Sequence, residues 1–214
     1  MKQQDGGLYV AVAGNIGAGK STLTRILSER YHLSPVFEAV DENPYLADFY
    51  ADMRRYAFHS QVFFLASRLR QHLREVNPGR RVIQDRTVYE DANVFARLLA
   101  EDGLLDARDH ASYTLLYDAV ASALRPPDLL IYLRASLPTL KAHIRQRGRD
   151  YEADIDDAYL QRLGELYERW IEDYSLSPVV VVPGDDLDFV GDERDLALVL
   201  DLLERHGLTP PMVR

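Results

Sequence analysis

At 214 residues the chain is long enough for one domain with a proper core and short for two. Apolar residues make up 47% and charged residues 28%, an ordinary soluble composition. The net charge of −9 argues against a general binder of nucleic acid or of anionic membrane, which needs an excess of Lys and Arg on some face. With no cysteines, the chain has no disulfide framework, thiolate metal site or Cys nucleophile, as suits a reducing compartment. No apolar run reaches the roughly 18 residues of a membrane span. The N-terminal apolar stretch is too short for a signal peptide, so a cytoplasmic location is expected.

Taken in order, the predicted elements alternate. Residues 8–13 are an apolar run ending in glycine and read as a buried strand. Residues 20–31 have helical spacing. Residues 34–38 are a second strand. Residues 53–75 form a long helix with Phe58, Val62, Leu65, Leu69 and Leu73 along one stripe. Asn77-Pro78-Gly79 ends it, and residues 81–85 are a third strand. Helices over 88–101 and 107–124 follow, and Pro126-Pro127 breaks the second. Residues 128–133 are a fourth strand, and a helix over 137–147 is capped by Gly148. A helix over 156–174, a fifth strand over 179–182 and a helix over 192–206 complete the series. Near-continuous apolar strands between helices predict an α/β fold with a parallel sheet covered on both faces. Ligands of such sheets sit at the carboxyl ends of the strands, so residues following strands one to four should share one crevice.

Gly14-Asn15-Ile16-Gly17-Ala18-Gly19-Lys20-Ser21 matches G-x-x-x-x-G-K-[ST], between an apolar strand and an amphipathic helix, the context this motif requires. Its glycines let backbone N–H groups curl around phosphate oxygens, and the helix N-terminus adds positive potential. Lys20 is expected on the β- and γ-phosphates and the Ser21 hydroxyl on Mg²⁺, with Thr22 continuing the loop into the helix. The chain contains no Asn-Lys-x-Asp guanine-reading motif and is small for a motor, which favours a kinase of a small acceptor.

Glu38, ending strand two, is a candidate acceptor of a proton from an attacking hydroxyl. Asp85-Arg86 ends strand three. Asp85 is a candidate Mg²⁺ ligand, directly or through water, and Arg86 can neutralise charge on the phosphoryl group. Arg145, Arg147 and Arg149 flank Gly148 and form the strongest basic cluster of the chain. They splay on a continuous helix, yet at a helix end running into a loop they can close over a polyphosphate.

The pattern as a whole resembles the deoxyribonucleoside kinases, the deoxycytidine and deoxyguanosine kinase family, and most of all its bacterial deoxyadenosine kinases. The resemblance rests on the segments Phe37 to Leu46, Gln84 to Asp91 and Arg147 to Glu152, and runs from the glycine-rich loop to about Tyr174. It implies a single three-layer P-loop domain spanning residues 1–214, with a five-stranded parallel sheet of order 2-3-1-4-5, a lid near 143–155, and pairing of two chains through long helices as a homodimer. The implied reaction, in deoxynucleotide salvage, moves the γ-phosphate of ATP, or of another nucleoside triphosphate, to the 5′-hydroxyl of a deoxyribonucleoside, deoxyadenosine first, with deoxyguanosine or deoxycytidine as further acceptors.

The resemblance also implies roles. Glu38 is the general base, and Arg86 contacts the hydroxyl region and the transferred phosphate. Tyr50 and Glu152 hold the sugar 3′-hydroxyl, and Gln61 reads the base edge. Arg68 and Asp91 form a charge pair at the far end of the base pocket, Phe95 stacks on the base, and Arg147 and Arg149 are lid arginines. Spacing agrees: Gln61 and Arg68 share a helix face, as do Asp91 and Phe95. Two departures stand out. Glu38-Ala39-Val40 replaces a common Glu-Pro-Val, and His143 occupies the position of a further lid arginine. A nucleoside monophosphate as acceptor would need an extra cation near Glu38, and residues 36–50 contain no Lys or Arg. A non-catalytic nucleotide-binding subunit would commonly lack Lys20 or Glu38, and both are present.

Overall fold

A computed structural model of the chain describes residues 7–38, 42–152 and 155–209. Ala39, Val40 and Asp41 of the segment after strand two, and residues 153 and 154 of the expected lid, fall outside it.

Five parallel strands form one sheet in the order β2-β3-β1-β4-β5: β1 (Tyr9–Gly14), β2 (Ser34–Val36), β3 (Val82–Asp85), β4 (Leu129–Arg134) and β5 (Val179–Pro183). The strand order expected from the resemblance is the one found. Side-chain alternation in the central strands sends apolar groups to both faces. Tyr9, Ala11 and Ala13 of β1 and Leu130 and Tyr132 of β4 enter one core layer. Val10, Val12, Leu129, Ile131 and Leu133 enter the other. The first layer is closed by α3 (Met53–Gln71), the helical run 88–101, α6 (Ala107–Ala121) and α8 (Asp157–Asp173), the second by α1 (Lys20–Tyr31) and α9 (Glu193–Arg205).

The structure departs from the sequence reading in five places. Strand two ends at Val36, whose last partner is Gln84. It is an edge strand, and the chain beyond Asp85 turns away because Arg86 is left-handed (φ 68°), so Glu38 leaves the sheet with no ladder to join. A short helix α2 (Leu46–Ala51) precedes α3 and was not anticipated. The long helix changes to π-helical turns over His72–Val76. The run 88–101 is likewise composite: α4 (Val88–Glu90), π-helical turns over Asp91–Ala96, and α5 (Arg97–Glu101). Finally, of the expected stripe Phe58, Val62, Leu65, Leu69 and Leu73, Leu65 is buried, Phe58, Val62 and Leu69 are partly buried, and Leu73, in the π-helical turns, is exposed. The face turned inward carries, with Leu65, Ala57, Ser60, Gln61, Arg68 and His72. Helices α7 (Leu137–Arg147), ending on left-handed Gly148 (φ 67°), and α8 bracket the expected lid.

Candidate active site

The carboxyl ends of the strands open into a cleft of about 710 Å³. At its centre lies the loop joining β1 to α1. Gly17 and Gly19 adopt φ of 83° and 94°, a region that side chains rarely enter. A Cβ on Gly17 would also lie 2.7 Å from the Leu140 carbonyl oxygen of α7. Asn15 ties the loop to α8: its Nδ2 donates to the Leu160 carbonyl at 2.8 Å, while its Oδ1 accepts from Ile16 N at 2.7 Å. Ala18 N closes the turn on the Asn15 carbonyl. Lys20, the first residue of α1, folds back and donates to that same carbonyl at 2.9 Å. Burial, and then the neighbouring Arg86, pull its pKa down to about 8 against the attraction of Asp85 and Glu38. Gly19, Ser21 and Thr22 line the cleft beside it.

Ser21 Oγ donates to Asp85 Oδ2 at 2.5 Å, and Asp85 Oδ1 is buried without a partner. A hydroxyl and a carboxylate with an unused oxygen are hard donors of the kind Mg²⁺ prefers when one or two side chains and the substrate phosphates share the ion. Among the described residues no cluster of three or more His, Cys, Asp or Glu could hold a metal by itself. The donor set therefore fits an ion that depends on the nucleotide for its other ligands.

Glu38 sits between two guanidiniums. Its Oε1 accepts from Arg68 Nη2 at 2.8 Å and its Oε2 from Arg86 Nε at 3.1 Å. Burial alone would raise its pKa, but Arg86, Arg68 and Lys20 outweigh burial and hold it at about 2. Arg68 is fully engaged: Nε donates to Asp91 Oδ2 at 2.5 Å, Nη2 also reaches Asp91 Oδ1 at 3.3 Å, and Nη1 meets the Arg86 carbonyl at 3.5 Å. It therefore lies behind the cleft wall, while Asp91 lines the cleft. The Arg86 guanidinium stacks over the Phe95 ring at 4.3 Å and so occupies one face of it, and Phe95 lines the cleft. Gln61 is buried on the cleft wall and its Oε1 has no partner.

Tyr50 lines the cleft, stacked on Tyr151 with centroids 6.0 Å apart. Glu152 is buried and accepts from Arg147 Nη2 and, at 3.4 Å, from Arg149 Nη1. The lid arginines and the carboxylate assigned to the sugar are thus joined to one another, a pairing the sequence reading did not foresee. Arg145 is exposed and does not line the cleft. On α7 it is His143, Gln146 and Arg147 that do, with His143 Nδ1 2.8 Å from the Gly17 carbonyl.

A sequence model of the deoxynucleoside kinases matches residues 10–206. The chain belongs to the deoxynucleoside kinase family. The deoxyadenosine/deoxycytidine kinase of Bacillus subtilis is 37% identical to this kinase over 194 residues, covering 90% of this chain and 89% of that protein. The deoxyadenosine kinase of Dictyostelium discoideum is 41% identical over 169 residues, covering 79% and 69%. The deoxyguanosine kinase of Lactobacillus acidophilus is 38% identical over 202 residues, covering 90% and 87%. The solved structure of deoxyadenosine kinase from M. mycoides with bound dATP matches with a TM-score of 0.81 at 29% identity, over 92% of this chain and all of that one.

Several residues of the kinase's cleft escaped the sequence reading. Asp188 to Gly191, after β5, line it, and the strand-end rule applied to the fifth strand would have found them. Tyr159 of α8 lines it too. Glu90 and Tyr167 lie beneath it, fully buried and hydrogen-bonded to each other. The spacing of Thr87 and Glu90 is that of a capping box, which the structure contains, but no local signal ties Glu90 to Tyr167.

Proposed function

We propose that this deoxynucleoside kinase acts as one P-loop unit, in the cytoplasm, and moves the γ-phosphate of ATP to the 5′-hydroxyl of a deoxyribonucleoside, with deoxyadenosine preferred. The observation that carries the reading is the arrangement of Glu38, Arg86 and Lys20. A carboxylate, a guanidinium and the loop ammonium meet in one cleft, coupled closely enough that each shifts the others' proton affinity. Lys20 and Arg86 meet the phosphoryl charge. Glu38, ionised at neutral pH, accepts the hydrogen bond of the attacking hydroxyl and orients it. Its low proton affinity suits a loose transition state in which the proton leaves late. Mg²⁺, held by Ser21 and Asp85, supplies charge neutralisation on the triphosphate. Arg147 and Arg149 serve the donor once released from Glu152, which with Tyr50 takes the 3′-hydroxyl.

Base choice rests on Gln61 and Asp91. Gln61 offers an unpartnered acceptor and an amide donor, a match for an amino-bearing base edge. Asp91 accepts hydrogen bonds and repels a keto oxygen, and leaving such a group unpaired costs roughly 1–3 kcal/mol. The names of the relatives divide between deoxyadenosine and deoxyguanosine, so the preference rests on the cleft residues themselves. Arg68 is locked by its partners and is not free to turn toward the O6 of guanine, which disfavours deoxyguanosine. The test is kcat/KM for deoxyadenosine, deoxyguanosine, deoxycytidine and thymidine, in the wild type and in Asp91→Ala. Deoxyadenosine is expected to lead and thymidine to trail by about tenfold or more, with the ranking compressed in the variant. Thymidine in first place, or an unaltered ranking in Asp91→Ala, refutes the assignment.

A homodimer is part of this proposal. The half-buried stripe of α3 and the exposed Leu115 and Leu116 of α6 lie on helices that pack side by side, and a second copy of the chain would cover them.

A further inference from the structure

Beneath the cleft one buried carboxylate has no part in the reaction just described. Glu90 has no solvent exposure, and hydrogen-bond donors surround it. Its Oε1 accepts from the Tyr167 hydroxyl at 2.7 Å and from the backbone N–H of Gly14 at 3.3 Å, while its Oε2 accepts from Thr87 N at 3.0 Å. The Tyr167 hydroxyl in turn accepts from Arg86 Nη1 at 3.1 Å. A continuous path therefore runs from the first glycine of the phosphate loop through Glu90 and Tyr167 to Arg86, and from Arg86 Nε to Glu38. Nothing in helix capping requires the Tyr167 end of this path.

Arg86 needs such support. It is one of two residues other than glycine with positive φ among the described residues, at 68°. Such a backbone persists only where its surroundings over-determine it. Its N–H is held by the Val12 carbonyl at 3.0 Å, and its guanidinium by Glu38, Tyr167 and the face of Phe95. Glu38 is bound for contact with substrate, and Phe95 gives direction without a hydrogen bond. Tyr167 is thus the anchor of the guanidinium that no ligand would displace, and Glu90 fixes the proton of that hydroxyl so that its lone pairs face Arg86.

We propose that Glu90 and Tyr167 are positioning residues for phosphoryl transfer: they hold Arg86 at a fixed distance from the phosphate loop, so that the donor and acceptor halves of the cleft keep one register. The inference rests on Arg86 meeting the transferred phosphate. Misplacement of a clamp by a fraction of a contact lowers turnover more than it lowers binding.

The test is a double-mutant cycle between Tyr167→Phe and Arg86→Lys, with kcat, KM for both substrates and the thermal midpoint measured for each. Tyr167→Phe removes one oxygen and keeps the ring packing. It is expected to lower kcat by about ten- to a hundredfold, with each KM within about threefold. In the Arg86→Lys background, which has lost the fork that Tyr167 holds, the same change is expected to lower kcat by less than about twofold. Glu90→Gln is expected to follow Tyr167→Phe, and if that variant does not fold the cycle stands without it. A lowered midpoint with unchanged kcat in Tyr167→Phe would reduce the pair to a packing role and overturn the inference. So would an equal loss in both backgrounds. An unchanged kcat in Arg86→Lys would instead remove Arg86 from phosphoryl transfer, and the reading on which the inference rests would fail with it.

Discussion

Glu38 shows what neighbours do to a single carboxylate. Gripped by Arg68 and Arg86, it gives up its proton at about 2, so it is ionised throughout the physiological range. Replacing it by Gln keeps the shape but removes the charge that both guanidiniums share. kcat is expected to fall about a hundredfold or more with nucleoside binding largely kept. Single-turnover rates would check this, and an unchanged rate removes Glu38 from its role. Lys20 is shifted in the sense that matters at the other end of the pH scale. Its ammonium is present below about 8 and lost as pH rises through that value. Because kcat/KM reports the free enzyme, its value for the triphosphate is expected to fall on the alkaline side with a midpoint near 8. The limb in kcat should lie higher, since bound phosphates favour the charged form. No acid limb from Glu38 is expected above about pH 4. A kcat/KM profile still flat a full unit above the Lys20 midpoint contradicts the assignment.

At the scale of elements, α3 is the instructive case. Its inward face mixes Ala57 and Leu65 with Ser60, Gln61 and Arg68. Hydrophobic periodicity points to Phe58, Val62, Leu65, Leu69 and Leu73, of which Leu65 is buried, because it weighs apolar character and not the demands of a cleft. The cleft needs Gln61, and Arg68 is drawn in by Asp91 and Glu38. The π-helical turns over His72–Val76 continue this face, and there His72 is buried with its ring edge-on to Tyr9 at 5.6 Å. Burial pulls the His72 pKa down to about 4. The unfolded chain takes up that proton near pH 6.5. Stability is therefore full above that value and is lost as pH falls toward 4. The Glu38 carboxylate loses its contribution in a separate window, from about 4.5 down to 2. His72→Gln is expected to flatten the decline in urea midpoint between pH 7 and 4.5. An equal decline in variant and wild type would assign it to other groups.

At the scale of the molecule, the sheet brings Glu38, Arg86 and the glycine-rich loop together from three different strands. The helices of one layer leave a surface that a monomer does not use. Leu115 and Leu116 of α6 are 71% and 48% exposed, and Tyr113 is the only buried residue of that helix. Covering such exposed apolar groups is what the proposed pairing with a second copy would do. The chain is expected to sediment as a dimer, and Leu115→Glu with Leu116→Glu to shift it toward monomer without unfolding the sheet. A wild-type chain that sediments as a monomer at micromolar concentration rules this pairing out.

Local chemistry alone determined the glycine-rich loop between β1 and α1, the alternation of strands and helices, and the candidates Lys20, Ser21, Glu38, Asp85 and Arg86. Each of these is a short-range pattern: a spacing of glycines, a run of apolar residues, a charge at a strand end. The strand order came with the resemblance, which carries long-range information that no window of residues holds. Only the tertiary structure decided which side chains share a charge. It set Arg68 on Glu38 as well as Asp91, and Arg147 and Arg149 on Glu152. It left Arg145 outside the cleft, and it buried Glu90 against Gly14 and Tyr167. Those two partners of Glu90 stand 76 residues before it and 77 after it in the chain. Electrostatic coupling depends on distance in space and on exclusion of water, and neither is written in the order of residues.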